Sequence, residues 1–300
     1  MEKFMKISFF IFVFLVSGFH PIFAEQITNR EPLPDGYKIC VWGDSGVDTD
    51  DQYRVAKALY NEGCDEMRVV GDIIYEKGLK DENDPQFMSK FYEPYKSIIT
   101  EQKIPFYMIM GNHDYYGNPQ AWLELAKKYS FIKLPSFYSA ELAGDICLIN
   151  LDTNDNFSEQ AAWLKNTVNP MLKNKCKISM VFGHHPYLSS GSHGDAGGQL
   201  KKFYEANIIG KYDIFMTGHD HQLSDEGKVK DTTLLISGAA GKLRKIGEPI
   251  VWGVSKLGYL VVTIKRKNNS VNALYDFISL NKDGIGETAH SDSILSNGIR

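Results

Sequence analysis

Val69-Val70-Gly71-Asp72-Ile73-Ile74-Tyr75 is the stretch whose reading decides the fold. A short β-branched run ends at a glycine, delivers a carboxylate, and offers a phenol three residues later. Buried parallel strands read as such apolar runs, and open α/β sheets bind ligands just beyond their carboxyl ends. Working outward, the same grammar recurs four more times. Ile39-Cys40-Val41-Trp42 runs into Gly43-Asp44, and Phe106-Tyr107-Met108-Ile109-Met110 into Gly111-Asn112-His113-Asp114. Ile178-Ser179-Met180-Val181-Phe182 runs into Gly183-His184-His185, and Ile214-Phe215-Met216-Thr217 into Gly218-His219-Asp220-His221. One such run is a turn. Five of them, each presenting a side chain that binds metals, predict a single site at the strand ends of an α/β domain.

The rest of the composition bounds what surrounds that site. The chain has 300 residues, 43% hydrophobic and 23% charged, enough for a large core in one globular domain. A formal net charge of −4 leaves no electrostatic footprint for nucleic acid. Residues 1–24 carry Lys3 and Lys6, an apolar run from Ile7 to Val16, and Ala24 as a cleavage residue. That layout predicts a removed secretory signal, with no stable membrane anchor afterwards and a secreted or periplasmic protein. The catalytic domain is expected over 25–280, followed by a loosely held polar tail over 281–300. The four cysteines, Cys40, Cys64, Cys147 and Cys176, have no CxxC spacing, which argues against a structural zinc site. An exported chain can oxidise them, but the spacing leaves their pairing open.

Between the strands lie helix patterns. One runs from Asp48 to Asn61, with Asp48 or Thr49 as N-cap and Gly63 as its end. Another covers 85–101, where Pro94 should interrupt it. A third follows Asn118-Pro119, and a fourth opens at Ser158. The Gly-rich stretch from Ser189 to Gly198 is expected to wall the site beside His184. After His221 the pattern changes to alternating strands at 233–237, 257–264 and 271–277.

Asp44, Asp72, Tyr75, Asn112, His184, His219 and His221 make up the strand-end set. Seven protein ligands are too many for one metal with an open position, but two metals can share them. Two-metal sites clamp the attacking and leaving oxygens of an in-line displacement, and two cations that close require an anionic bridge. Asp72 is the natural bridge. The mixed oxygen and nitrogen donors exclude a soft thiolate site.

With these residues in hand, the chain resembles the calcineurin-like metallophosphoesterases, and within them the small purple acid phosphatases of the tartrate-resistant kind. Five blocks carry the resemblance in order: GDSG at 43, GDIIY at 71, GNHD at 111, GHHP at 183 and GHDH at 218. It extends from about residue 38 to 264 and includes Leu151-Asp152-Thr153 and Ser237-Gly238. It implies an αββα fold, two face-to-face mixed β-sheets flanked by helices. It also implies that Asp44, Asp72, Tyr75 and His221 hold Fe(III), with the Tyr75 phenolate giving a purple colour. Asp72, Asn112, His184 and His219 would hold a divalent ion, Fe, Zn or Mn. His113 and His193 would face the substrate and protonate the leaving group. The implied activity is acid hydrolysis of phosphate monoesters, small esters or phosphoproteins, by in-line attack of a metal-bound hydroxide, in a monomer. His185 stands where relatives often have an aromatic, and is expected to neighbour the ligands rather than join them. Asp114 and Asp220 are expected to support ligands, not to catalyse.

Three other readings compete. A dimanganese or dizinc phosphodiesterase or nucleotidase of the same superfamily would leave Tyr75 unligated. A GDSL-type ester hydrolase would use Ser45 as nucleophile, but its Asp-x-x-His partner is here Glu287-Thr288-Ala289-His290, with no strand before it. A secreted, non-catalytic metal-binding protein would tolerate vacant ligand positions, and here every one is filled.

Overall fold

The computed structural model describes residues 27–295. Two mixed sheets face each other, and alternate residues of each strand decide the layers. Strand β2 (Lys38–Trp42) turns Ile39 and Val41 to the core between the sheets, and Cys40 and Trp42 to an outer layer. In β8 (Ile178–Phe182), Met180 and Phe182 point between the sheets while Val181 points outward. A period of two with both faces apolar reads as a continuous hydrophobic run, which explains the unbroken strand sequences.

The first sheet is parallel where the site is built. Strands β2, β3 (Glu66–Val70), β4 (Phe106–Ile109) and β5 (Ile132–Lys133) pair in that order. Antiparallel β13 (Gly258–Lys267), β14 (Ser270–Leu280) and β15 (Gly286–Leu295) extend it on the β2 side. The second sheet runs β1 (Ile27–Arg30), β6 (Ser139–Ala143), β7 (Ile146–Asn150), β8, β9 (Ile214–Thr217), β11 (Thr232–Ser237), β10 (Leu223–Val229), β12 (Trp252–Val254). Helices cover both outer faces. Val55 and Leu59 of α1 (Asp50–Glu62) and Trp122 and Leu125 of α2 (Gln120–Lys128) pack on the first sheet. Trp163 of α3 (Phe157–Trp163) and Phe203 and Tyr204 of α4 (Gly198–Asn207) pack on the second. This is the αββα sandwich that the resemblance implies.

Local expectations meet the structure with some differences. Thr49 is the N-cap residue of α1 but makes no side-chain capping bond; Gln52 Oε1 instead holds the preceding loop, accepting the Val47 and Asp48 N–H groups at 3.1 and 2.9 Å. Gly63 ends the helix at φ 71°, a left-handed conformation glycine adopts without strain. The segment expected as one helix over 85–101 splits into π-helical turns at Met88–Tyr92 and Ile98–Gln102, with the break at Pro94. The expected polar tail is corrected as far as Leu295. Gly286–Leu295 pairs along β14 as an edge strand, and its mostly exposed polar side chains hid its periodicity. The four cysteines form two bridges, Cys40–Cys64 and Cys147–Cys176. The expected signal over 1–24 lies outside the described residues.

The sheets are joined away from the loops by a buried ion network. Arg68 of β3 donates to Glu66 and Glu141 at 2.8 Å and to Asn150 at 3.0 Å. Arg30 of β1 reaches Glu66 and Glu141 at 2.6 Å. Glu141 and Asn150 belong to the sheet opposite Arg68, so the network crosses the sandwich.

Candidate metal centre

All five strand–glycine turns open at one end of the sandwich. The first sheet brings Asp44, Asp72 and Asn112 from the ends of β2, β3 and β4. The second brings His184 from β8, and His219 and His221 from β9. Asp44, Asp72 and His219 have φ of 61, 50 and 68°, the left-handed region that aspartate tolerates better than most side chains. The glycines admit close approach. A Cβ at Gly71 would fall inside the contact shell of the His184 ring, and one at Gly111 inside that of Asp72.

The seven strand-end residues meet in two groups that share Asp72. In the first, the Tyr75 hydroxyl lies 3.0 Å from Asp44 Oδ1, 2.9 Å from Asp72 Oδ2 and 3.0 Å from His221 Nε2. One phenolic hydrogen cannot serve both carboxylates at once. In the second, His184 Nε2 lies 3.1 Å from Asn112 Oδ1, 3.4 Å from Asp72 Oδ1 and 3.2 Å from His219 Nδ1. His184 Nδ1 is 2.8 Å from the Val70 carbonyl, which only accepts, so the ring proton sits on Nδ1 and Nε2 offers a lone pair. That lone pair faces oxygens and another imidazole. A ring anchored through one nitrogen to a backbone carbonyl, with the other free, is how proteins present histidine to a metal.

The electrostatics point the same way. Burial, then the charge of Asp72, pushes the Asp44 carboxyl well above the ordinary range. Burial also raises Asp72, against hydrogen bonds and nearby histidines that pull it down. Burial holds His184 and His219 far below the usual imidazole range, and their histidine neighbours lower them further. His221 drops to about 3 through burial and then the charge of Arg244. Carboxylates pressed towards neutrality beside imidazoles that refuse protons are donors short of a cation. Asp44, Asp72 and His184 offer atoms within 4.8 Å of one another, as do His184, His185 and His219. His185 itself is turned to Thr153, with Nδ1 2.8 Å from Oγ1, and burial lowers it to about 4.

The two expected outer histidines sit at the rim. His113 has a side chain 22% exposed; Nδ1 donates to the Glu76 carbonyl at 2.6 Å, and Nε2 lies 3.9 Å from Asp72 Oδ2. His193 has a side chain 29% exposed, and its ring stacks on His219 with centroids 4.2 Å apart. Its Nδ1 and backbone N–H both reach Asp220 Oδ1, at 3.1 and 2.9 Å. Asp220 also accepts from Ser189, pinning the Gly-rich wall. Asp114 accepts the backbone N–H groups of Gly111, Ile73 and Ile74 at 2.8, 3.1 and 3.3 Å, clamping the two turns that carry Asn112 and Asp72. Sequence reasoning gave Asp114 and Asp220 this supporting place but missed Glu76, Val70 and the basic residues Lys242 and Arg244. The first two act through backbone carbonyls, which have no sequence signature.

Ser45 is fully buried, and among the described residues the strand-end histidines hydrogen-bond elsewhere, so the ester-hydrolase arrangement is not assembled. His290 instead faces Asp225 at 3.3 Å from strand β15.

Comparison with known proteins agrees with this architecture. The sequence profile described as calcineurin-like phosphoesterase matches residues 37–223. Purple acid phosphatase 7 of Arabidopsis thaliana is 28% identical over 200 residues, covering 58% of this chain and 59% of the relative. Human tartrate-resistant acid phosphatase type 5 is 25% identical over 213 residues, covering 62% and 64%. The chain thus spans about three fifths of the length of these curated relatives. Among solved structures, GAP50, the anchor in the inner membrane complex of Plasmodium, superposes with a TM-score of 0.70 at 19% identity, covering 88% of this chain and 90% of that one. That likeness is one of fold.

Proposed function

Since this chain belongs to the calcineurin-like phosphoesterase family, we propose that it is an exported acid phosphatase that hydrolyses phosphate monoesters at a binuclear metal centre. The observation that carries the reading is the division of Asp72: Oδ2 faces the Tyr75 phenol and Oδ1 the His184 imidazole. A carboxylate placed this way suits a bridge between two ions. Asp44, Asp72, Tyr75 and His221 would hold Fe(III), and Asp72, Asn112, His184 and His219 a divalent ion, Fe, Zn or Mn. When bound, such a pair supplies charge neutralisation for the phosphoryl group and acidifies water for in-line attack.

The chain's own residues do the rest. Tyr75, buried between two carboxylates, keeps its proton far above the usual phenol range until a cation replaces it. Asp114 fixes the turns of Asp72 and Asn112, which sets the spacing between the two donor groups. His113 has its Nδ1 proton committed to Glu76, so the proton it would give to the leaving oxygen sits on Nε2. His193, oriented by Asp220, would present its own Nε2 as the second donor. Both roles need imidazolium, which favours acid pH. Two disulfides belong to an oxidising compartment and support export. Among the described residues no helix is long and apolar enough to cross a membrane.

The test is a visible spectrum and elemental analysis of the mature protein, read beside phosphate release from mono- and diesters between pH 4 and 9. Iron with a broad visible band, lost in Tyr75→Phe, and a monoesterase peaking in acid are the expected results. A colourless protein with two zinc or manganese ions and a diesterase profile above pH 8 would replace this reading with the phosphodiesterase one.

A further inference from the structure

The mechanism leaves unused a basic segment beside the site, residues 241–245, Gly-Lys-Leu-Arg-Lys. It follows Ala239 and Ala240, buried behind β11, and is held at several points. The Arg244 N–H donates to the His221 carbonyl at 3.2 Å, and the Arg244 carbonyl accepts from Ser255 Oγ at 2.6 Å. Three residues after Arg244, the Gly247 N–H donates to the Ser190 carbonyl at 2.7 Å, joining this segment to the wall that carries His193. Lys242 Nζ lies 3.7 Å from the centroid of the Tyr75 ring. Tyr75, Glu76, Lys90, Gly241 and Lys242 line a cavity of about 310 Å³ that adjoins the centre through the phenol. Lys90 is committed there: Nζ donates to the Tyr75 carbonyl and, at 2.8 Å, to Gln86.

We propose that Lys242 and Arg244 form a second anion subsite beside the centre, which selects phosphate monoesters whose leaving group carries its own carboxylate or phosphate. The inference rests on the monoesterase reading above. Lys242 pairs with Glu76 at 3.0 Å, but the Glu76 side chain is 74% exposed, and such surface pairs contribute little. A substrate anion can therefore take the ammonium from Glu76 at small cost. Over residues 241–248 there are three cations, Lys242, Arg244 and Lys245, against one anion, Glu248. The Lys242 ammonium beside Tyr75, with the Arg244 charge near enough to act on His221, offers a charge-assisted contact that a neutral leaving group cannot make. Neither residue belongs to the donor set or to the proton donors, so their contribution is separable from the chemistry.

The experiment compares 3-phosphoglycerate with glycerol 3-phosphate, esters of similar size that differ in one carboxylate. For the metal-loaded full chain, kcat/KM should favour 3-phosphoglycerate at least ten-fold at low salt, and the preference should shrink at high ionic strength. In the double variant Lys242→Gln with Arg244→Gln, whose fold is checked by circular dichroism, the preference should fall below two-fold. A wild-type preference under two-fold, or one that survives the double variant, overturns the subsite. If neither ester is hydrolysed, the monoesterase reading fails. The ratio of the two dissociation constants, measured by calorimetry on the same proteins, then decides the subsite by the same limits.

Discussion

Asp72 is placed by its neighbours before any ion is considered. The His113 N–H donates to Oδ1 at 2.9 Å and the Tyr75 hydroxyl lies 2.9 Å from Oδ2, so neither oxygen is free to turn. Replacing Asp72 by Ala removes the carboxylate common to both donor groups, and elemental analysis should find both metals lost. A variant with full metal content would refute the bridging role. His113→Ala is the contrasting case: metals should stay, while kcat falls by about a hundred-fold or more. Most of this was legible in sequence, because each donor follows a glycine at the end of an apolar run. What was not legible is the orientation of the rings. The Val70 and Glu76 carbonyls that fix the tautomers of His184 and His113 can be named only once the sheets are packed.

At the level of the strand–turn units, the glycines are as constrained as the donors. Gly111 has φ −93°, which any residue can adopt, so its strictness comes from space rather than backbone. Its missing Cβ is what lets the turn close on Asp72 Oδ1 and N. Gly111→Ala should therefore displace Asp72, lowering metal occupancy and costing about 1–3 kcal/mol in unfolding free energy. An unchanged melting temperature with full metal content would contradict this. The five site strands were readable because each carries apolar residues on both faces in the run before its glycine, as Val69 and Val70 do in β3. The strands missed were those with other constraints. Leu223–Val229 is nearly all buried yet polar, its Asp225 and Glu226 satisfied by Tyr275 and Ser190. Gly286–Leu295 is an edge strand whose exposed polar positions look like a tail.

Taken whole, the molecule should show its need for cations in its stability. Asp44 and Asp72 have raised pKa values, and Asp114 is pushed up to about 8 by burial and then the charge of Asp72. Raised carboxyls stabilise the fold at low pH, and that contribution is lost as pH rises through the folded values. The lowered histidines, His221 near 3 and His185 near 4, act oppositely, but only below their unfolded value of 6.5. Between pH 6.5 and 8 only the carboxyl effect remains, so the melting temperature of the metal-free chain should fall over that window. With saturating metal the fall should shrink, since ions take the place of the protons on Asp44 and Asp72 and their charge draws neighbouring Asp114 down. A flat metal-free profile would count against the donor assignment. The two disulfides bear on a different property. Cys40–Cys64 lies in the outer layer of one sheet and Cys147–Cys176 in that of the other, so neither spans the sandwich. The Arg68 network bolts the sheets together on one side, whereas at the loop end oxygens come from one sheet and imidazoles from the other. An ion there would be a rivet set beside two lighter stitches, His184 Nδ1 to the Val70 carbonyl and the His219 N–H to Asp44 Oδ2; chelation would loosen the mouth where substrate enters while the two halves stay clasped at Arg68.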